Sequence, residues 1–264
     1  MISIPFSGSK RNRYKEVMEI VKENGYEKVC EPFGGSAVLS VNLINDKHIK
    51  EAIINDYDHI FDMYPEYLKI KENLIKKLLN RGFVKSEKRV SKEQYEILQK
   101  EIIDVEEKYL CLLANNFVFS AIRTGNVKRK DFTYFMNEIT TNKQWDYYNI
   151  IKDIKRDTLD YKAFISKHKD TFDDTTLLIV DPPYINASQK SYKNKGFFGL
   201  SETFETLEML KKLKTDFIFF GMVERDITTL LKLFGFEQFY VKSKRIYQSA
   251  GANRDDCMVY VKMK

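Results

Sequence analysis

Between residues 27 and 56 the chain reads as strand, helix, strand: "EKVCEP", then "SAVLSVNLIN", then "KEAIIND". That succession is the local pattern of a parallel α/β sheet, in which a helix carries the chain from one strand to the next. It resumes after residue 150, with a short helix expected over 161–168, a strand over 176–181 and a helix over 202–214. The strand "DFIFFG", a helix at 226–233, "FEQFYVKSK" and a closing strand "DCMVYVKM" complete it. Upstream, residues 10–24 read as a helix that stops at Gly25, a residue type that commonly ends helices.

The stretch from 57 to 145 has a different character. "DMYPEYLKIKENLIKKLLN" and "SKEQYEILQKEIIDVEEKYLCLLANNF" carry helical periodicity and many charges. Ser91 and Gln94 have the spacing of a capping box at the start of the second segment. "SAIRTGNVKRKDF" then places a Gly-Asn turn between two short strand-like runs, which predicts a basic hairpin near 120–135. The expected organisation is an α/β domain over 1–56 and 146–264 interrupted by a mainly helical insertion over 57–145.

At 264 residues, 43% of them hydrophobic and 31% charged, the chain has ample material for a core. No apolar run reaches membrane-spanning length. The start "MISIPFSGSKRNRYK" has its charges after a very short apolar stretch, the reverse of a secretory signal, so a cytoplasmic protein is expected. Cys30, Cys111 and Cys257 are far apart and read as reduced core thiols. His48, His59 and His168 lack zinc-like spacing, and no metal is expected. Net charge is +6, gathered in "KSEKR" at 85–89, "KRK" at 128–130, "KSYKNK" at 190–195 and "KSKR" at 242–245. Basic clusters interleaved with Tyr and Phe suit a nucleic-acid surface, and solvated lysine-rich loops have the same composition.

Three groups fall at carboxyl ends of expected strands, where open α/β sheets bind ligands. "CEPFGGSAVLS" puts Gly34 and Gly35 between a strand and a helix N-terminus, a tight turn that also permits close approach of a ligand. Asn55 and Asp56 end the next strand, where an acid suits ribose hydroxyls and where Asn-Asp also serves as a plain turn or helix cap. In "TTLLIVDPPYIN" a buried apolar strand stops at Asp181, Pro182, Pro183 and Tyr184. Proline donates no ladder hydrogen bond and holds its predecessor extended. A turn accounts for the prolines but not for an aromatic ring beside the acid. Together the three groups imply a nucleoside-containing cofactor beside a polar, aromatic pocket.

"EPFGGSAVL" and "DPPY" resemble the cofactor and catalytic motifs of DNA methyltransferases that act on amino groups. "IPFSGSK" at 4–10 resembles the N-terminal motif of the Dam-type adenine methylases, including those of phages. "NDY" at 55–57 and "TLDYKAFI" at 158–165 match further family positions. The order of N-terminal motif, glycine motif, insertion and DPPY resembles the alpha arrangement of that family. The resemblance implies a Rossmann-like class I methyltransferase sheet with helices on both faces, and it makes the insertion a target-recognition domain.

It also implies S-adenosyl-L-methionine as cofactor and N6 of a flipped-out adenine in double-stranded DNA as target, in GATC or a related short site. Phe6, Lys10, Glu31, Phe33, Gly34, Gly35, Asp56, Asp160 and Asp181 would line the cofactor, with Lys10 near its carboxylate, Asp56 on the ribose and Asp160 near the adenine. Asp181, Pro182, Pro183 and Tyr184 would carry the chemistry. Arg123, Lys128, Arg129 and Lys130 of the basic hairpin, with Lys190, Lys193 and Lys195 of the loop after DPPY, would meet DNA. "RTGNVKRKDFTYFMNE" stands where the Dam-type hairpin carries an Asn-x-Pro-x-Gly-like stretch. No membrane partner is expected, and the chain would be a monomer or weak dimer, serving a phage, a restriction–modification system or host regulation. N4-cytosine methylation, or a non-catalytic DNA-binding protein on the same fold, are the alternatives.

Overall fold

The computed structural model describes residues 1–4, 8–85, 88–118, 127–135, 142–185, 198–247 and 253–263. From the N-terminus a 3-10 turn (Arg11–Arg13) leads into α1 (Tyr14–Asn24), β1 (Lys28–Glu31), α2 (Val38–Asn45) and β2 (Glu51–Asn55). Next come α3 (Ile60–Asn80), α4 (Lys92–Glu101), α5 (Glu107–Phe117) and α6 (Asn142–Ile151). The chain continues through β3 (Lys155–Asp157), α7 (Tyr161–His168), β4 (Thr176–Val180) and α8 (Leu200–Leu213). It ends with β5 (Phe217–Gly221), α9 (Glu224–Leu233), β6 (Gln238–Tyr247) and β7 (Asn253–Lys262).

These elements divide into two compact units. The sheet unit comprises Asn12–Tyr57, Ile154–Gln189 and Gly196–Lys264; the helical unit comprises Met1–Arg11, Asp58–Asp153 and Lys190–Lys195.

The sheet runs β3-β2-β1-β4-β5-β7-β6. The first five strands of that order are parallel, whereas β7 is antiparallel to both β5 and β6. β4 and β5 are buried at every residue, as expected of central parallel strands covered on both faces. Cys30, Ile53, Leu178, Val180, Phe217 and Phe219 share one core with Phe164 of α7, Leu207 and Leu210 of α8, and Ile227 and Leu231 of α9. The alternating residues Val29, Leu177, Ile179 and Ile218 are buried too and face the other way, and α2 packs against β1 and β2. α1 ends as expected at Gly25, with φ of 70° and its amide on the Val21 carbonyl.

Three sequence expectations need correction here. The strand expected over 176–181 ends at Val180, which leaves Asp181 just beyond it. β3 was not anticipated: its residues, Lys-Arg-Asp, have no apolar pattern, and it forms by pairing along the edge of β2. The periodic segment 91–117 is two helices, broken between Ile102 and Glu106.

Within the helical unit, α3 buries Ile60, Phe61, Tyr64, Tyr67, Leu68, Lys71, Leu74, Ile75 and Leu78, one stripe at three- and four-residue spacing that is apolar except for Lys71. Fully buried Lys71 donates to Gln144 Oε1 of α6 at 3.0 Å, and Trp145 Nε1 donates to Glu72 Oε1 at 2.7 Å. α4 opens with the expected capping box: Gln94 N donates to Ser91 Oγ and Ser91 N to Gln94 Oε1. The turn of the expected hairpin, 119–126, lies outside the described residues. Residues 127–135 hold a 3-10 turn, Arg129–Asp131, with Phe132 and Phe135 buried against Phe117.

Candidate active site

Parallel pairing of β3, β2, β1 and β4 sends the loops that follow them out along one edge of the sheet. The carboxyl-edge groups expected from sequence are therefore gathered by topology.

The loop after β1 is held by its own residues. Glu31 is buried, and its Oε1 accepts from the amide of Ser40 at 3.0 Å and from the Ser40 hydroxyl. That carboxylate pins the end of β1 to the first turn of α2, where amides otherwise lack partners. Phe33 stacks on Tyr161 with centroids 5.0 Å apart and meets Phe198 edge-on at 5.6 Å. The Gly34 amide donates to the Asn55 carbonyl at 3.2 Å. A Cβ at Gly34 would stand 2.5 Å from Ile54 Cγ2 and 2.7 Å from that same carbonyl, so only glycine fits. Gly35 turns the chain with φ of 49°, a conformation that glycine takes without strain.

Asp56 follows β2 and is buried, its amide bonded to the Asp157 carbonyl at 2.7 Å. Asn55, also buried, reaches across the edge: Nδ2 donates to the carbonyls of Pro32 at 3.0 Å and Leu159 at 2.8 Å, and Oδ1 accepts from the Leu159 amide at 3.0 Å. Asp160 is exposed and caps α7, with Oδ1 accepting from the Lys162 amide at 2.9 Å. Asp157 accepts from Lys167 at 2.6 Å and lies 2.5 Å from His168 Nε2. Burial pushes its carboxyl up, but those two groups outweigh it and leave it below the usual carboxylate range.

β4 is buried at every residue up to Val180. Asp181 stands half-buried at its tip, Pro182 is buried, and Pro183 and Tyr184 are half-buried. The Tyr184 hydroxyl faces Asp256 Oδ1 on β7 at 3.4 Å. Asp256 in turn pairs with Arg13, whose Nε donates to Oδ2 at 2.8 Å and whose Nη2 donates to the Asp256 carbonyl. Arg13 is 1% exposed. Sequence reasoning missed Arg13, Asn55 as a bridging side chain, and the Arg13–Asp256 pair, whose members are 243 residues apart. No local pattern announces such a pairing.

The remaining expected residues are dispersed. Lys10 belongs to the helical unit, with its ammonium on the Gly8 carbonyl at 3.0 Å. Lys128 and Lys130 are exposed. Arg129 has a different occupation, since its Nε and Nη2 donate to the carbonyls of Ile102 and Val105 and close the break after α4. Phe6, Arg123, Lys190, Lys193 and Lys195 lie outside the described residues. Cys30 and Cys257 are buried free thiols, and Cys111 is a half-buried one. Among the described residues, no cluster of His, Cys, Asp and Glu could hold a metal ion, and no helix is long and apolar enough to cross a membrane.

A protein of Haemophilus influenzae, whose assignment as a methyltransferase is provisional, is 28% identical over a 285-residue alignment covering 97% of this chain and 90% of that one. The crystal structure of a SAM-dependent methyltransferase from Agrobacterium tumefaciens superposes with a TM-score of 0.41 and 11% identity, over 95% of this chain. The chain spans 61% of that neighbour's length. The model of the D12 class N6 adenine-specific DNA methyltransferase family matches residues 6–247. The chain, with its seven-stranded Rossmann-like sheet, belongs to that family of S-adenosylmethionine-dependent enzymes.

Proposed function

We propose that the protein methylates N6 of an adenine flipped out of double-stranded DNA, within GATC or a related short site. The observation that carries this reading is Asp181-Pro182-Pro183-Tyr184 at the tip of a fully buried strand, on the same sheet edge as Asp56 and the Gly34–Gly35 turn. The donor set on that edge fits S-adenosylmethionine. Buried Asp56 suits a ribose diol, Asp160 an adenine amine, and the glycine turn a closely approaching methionine chain. Lys10 is assigned to the cofactor carboxylate and Phe6 to its side, both by motif. The cofactor supplies an electrophilic methyl group on a sulfonium.

An aromatic amine is a weak nucleophile because its lone pair is delocalised into the ring. Asp181 accepts one N6 hydrogen and the Pro182 carbonyl the other, which favours a pyramidal nitrogen with its lone pair directed outward. Both acceptors sit on backbone stiffened by proline, so their aim costs little reorganisation when the bond forms. A base inside the duplex cannot reach such a pocket, and extrusion solves the problem. Tyr184 stacks on the extruded base, a contact worth about 1–3 kcal/mol. Residues 57–145 serve target recognition, with exposed Lys128 and Lys130 on phosphates and Arg123, Lys190, Lys193 and Lys195 assigned to DNA by sequence.

The test is incubation with S-adenosylmethionine and mixed-sequence duplex DNA, followed by mass spectrometry of the nucleosides. N6-methyladenine is expected, with Asp181→Ala lowering its rate by at least about 10²–10³-fold. N4-methylcytosine as the product would overturn the adenine assignment. Undiminished methylation by Asp181→Ala would overturn the catalytic one.

A further inference from the structure

We propose that Asn55 is the positioning residue of the cofactor site, a clasp that sets the ribose acid, the glycine turn and the α7 entry loop in one geometry. The inference rests on the cofactor-site reading above and extends it to a side chain that touches no proposed ligand atom. An asparagine amide offers two donors and an acceptor within one small plane. At Asn55 all three directions are used, and each goes to the backbone of another loop. Nδ2 holds the Pro32 carbonyl at 3.0 Å and the Leu159 carbonyl at 2.8 Å, while Oδ1 holds the Leu159 amide at 3.0 Å. The residue's own carbonyl takes the Gly34 amide at 3.2 Å.

Each clasped atom adjoins a group assigned to the cofactor. Asp56 is the next residue after Asn55, Asp160 is the next after Leu159, and Pro32 lies between Glu31 and the Phe33–Gly35 turn. Asn55 is 2% exposed, so water does not replace bonds lost there. The paired carbonyls demand donors, which an aspartate of the same shape would not supply. Loops that carry ligand groups are the least constrained parts of a fold, and displacement by about 1 Å is enough to cost on the order of 10²-fold in function.

The experiment compares purified full-length wild type with Asn55→Asp and the milder Asn55→Ser, in which a hydroxyl keeps one donor. Tyr26→Phe is the control. The Tyr26 hydroxyl lies between Asp216 and Tyr260 just ahead of β1, at the opposite end of the parallel strands, so its loss weakens the fold without touching the clasp. Calorimetry gives the dissociation constant for S-adenosylmethionine, thermal unfolding gives stability, and kcat is measured at saturating cofactor and DNA. The expected result is a dissociation constant raised about 10- to 100-fold in Asn55→Asp and less in Asn55→Ser, with kcat changed under about threefold because β4 and Asp181 are not clasped. Tyr26→Phe should lower the melting temperature with no change in affinity. If Asn55→Ser binds cofactor like wild type, or if affinity tracks melting temperature across all variants including Tyr26→Phe, the inference is overturned while the site reading stands. Failure of wild type itself to bind S-adenosylmethionine overturns the site reading and the inference with it.

Discussion

Buried polar side chains serve different ends in the two units. In the sheet unit three of them lie along the carboxyl edge of the parallel strands. Glu31 at the end of β1 is on Ser40, and Asn55 at the end of β2 is on Pro32 and Leu159. Asp256 of β7, one residue past the partner of Gly221 at the end of β5, is on Arg13. In the helical unit buried Lys71 and half-buried Trp145 and Arg129 fasten one helix or loop to another: Lys71 to Gln144, Trp145 to Glu72, Arg129 to the carbonyls after α4. The first pattern holds loops at an edge where a ligand is expected, and the second holds the unit itself together. A polar residue is therefore informative about function only once its partners are known, and a strand tip is where partners and ligands compete for it.

The sharpest way to break that contrast is at Arg13. Its guanidinium is buried with Asp256, and a buried pair contributes little net stability although removing one member is costly. Arg13→Ala leaves the Asp256 carboxylate without that partner and should cost about 3–5 kcal/mol in urea unfolding. Replacing both members with apolar residues should recover most of the loss. A single-variant cost under about 1 kcal/mol would show that the pair is hydrated rather than buried, and would remove the distinction between the units.

The next effect tests the helical side. Arg129 closes the gap between α4 and α5 through the carbonyls of Ile102 and Val105. Arg129→Ala should destabilise the protein by about 1–3 kcal/mol, because two half-buried, charge-assisted hydrogen bonds to carbonyls are lost. The loss should be independent of DNA. If stability is unchanged and only DNA binding falls, Arg129 belongs with the phosphate contacts and the basic cluster acts as one surface.

Why parts of this molecule were legible in advance follows from the range of the forces involved. Gly25, the Ser91–Gln94 capping box and Pro182–Pro183 act on their immediate neighbours, so their effect can be read within a few residues. The buried strands β4 and β5 announce themselves by continuous apolar runs. β3 does not, since a three-residue edge strand of Lys155, Arg156 and Asp157 exists only through its pairing with β2. The break at 102–106 was equally hidden: Ile102, Val105 and Tyr109 continue the helical rhythm, and the side chain that stabilises the gap comes from Arg129. At the site, Asp181, Asp56 and the glycine turn were legible as residue types at strand ends. The bridging by Asn55 and the Arg13–Asp256 pair were not, since both depend on contacts across at least 23 residues.

The smallest expected effect on stability separates neighbours within one basic cluster. Lys128 and Lys130 are exposed on either side of Arg129, and exposed substitutions away from special features usually change stability by no more than about 0.5 kcal/mol. A phosphate contact, in contrast, appears in the salt dependence of binding, with a slope change of about 0.9 for each charge removed. The double variant Lys128→Ala, Lys130→Ala should therefore unfold like wild type while its log–log salt slope for duplex DNA becomes shallower by about 1–2. An unchanged slope would mean that both lysines are merely solvated, leaving the residues beyond this cluster to carry the DNA contact. A changed slope beside the stability loss of Arg129→Ala would show that adjacent residues of identical charge do different work, one closing the fold and two reaching outward from it.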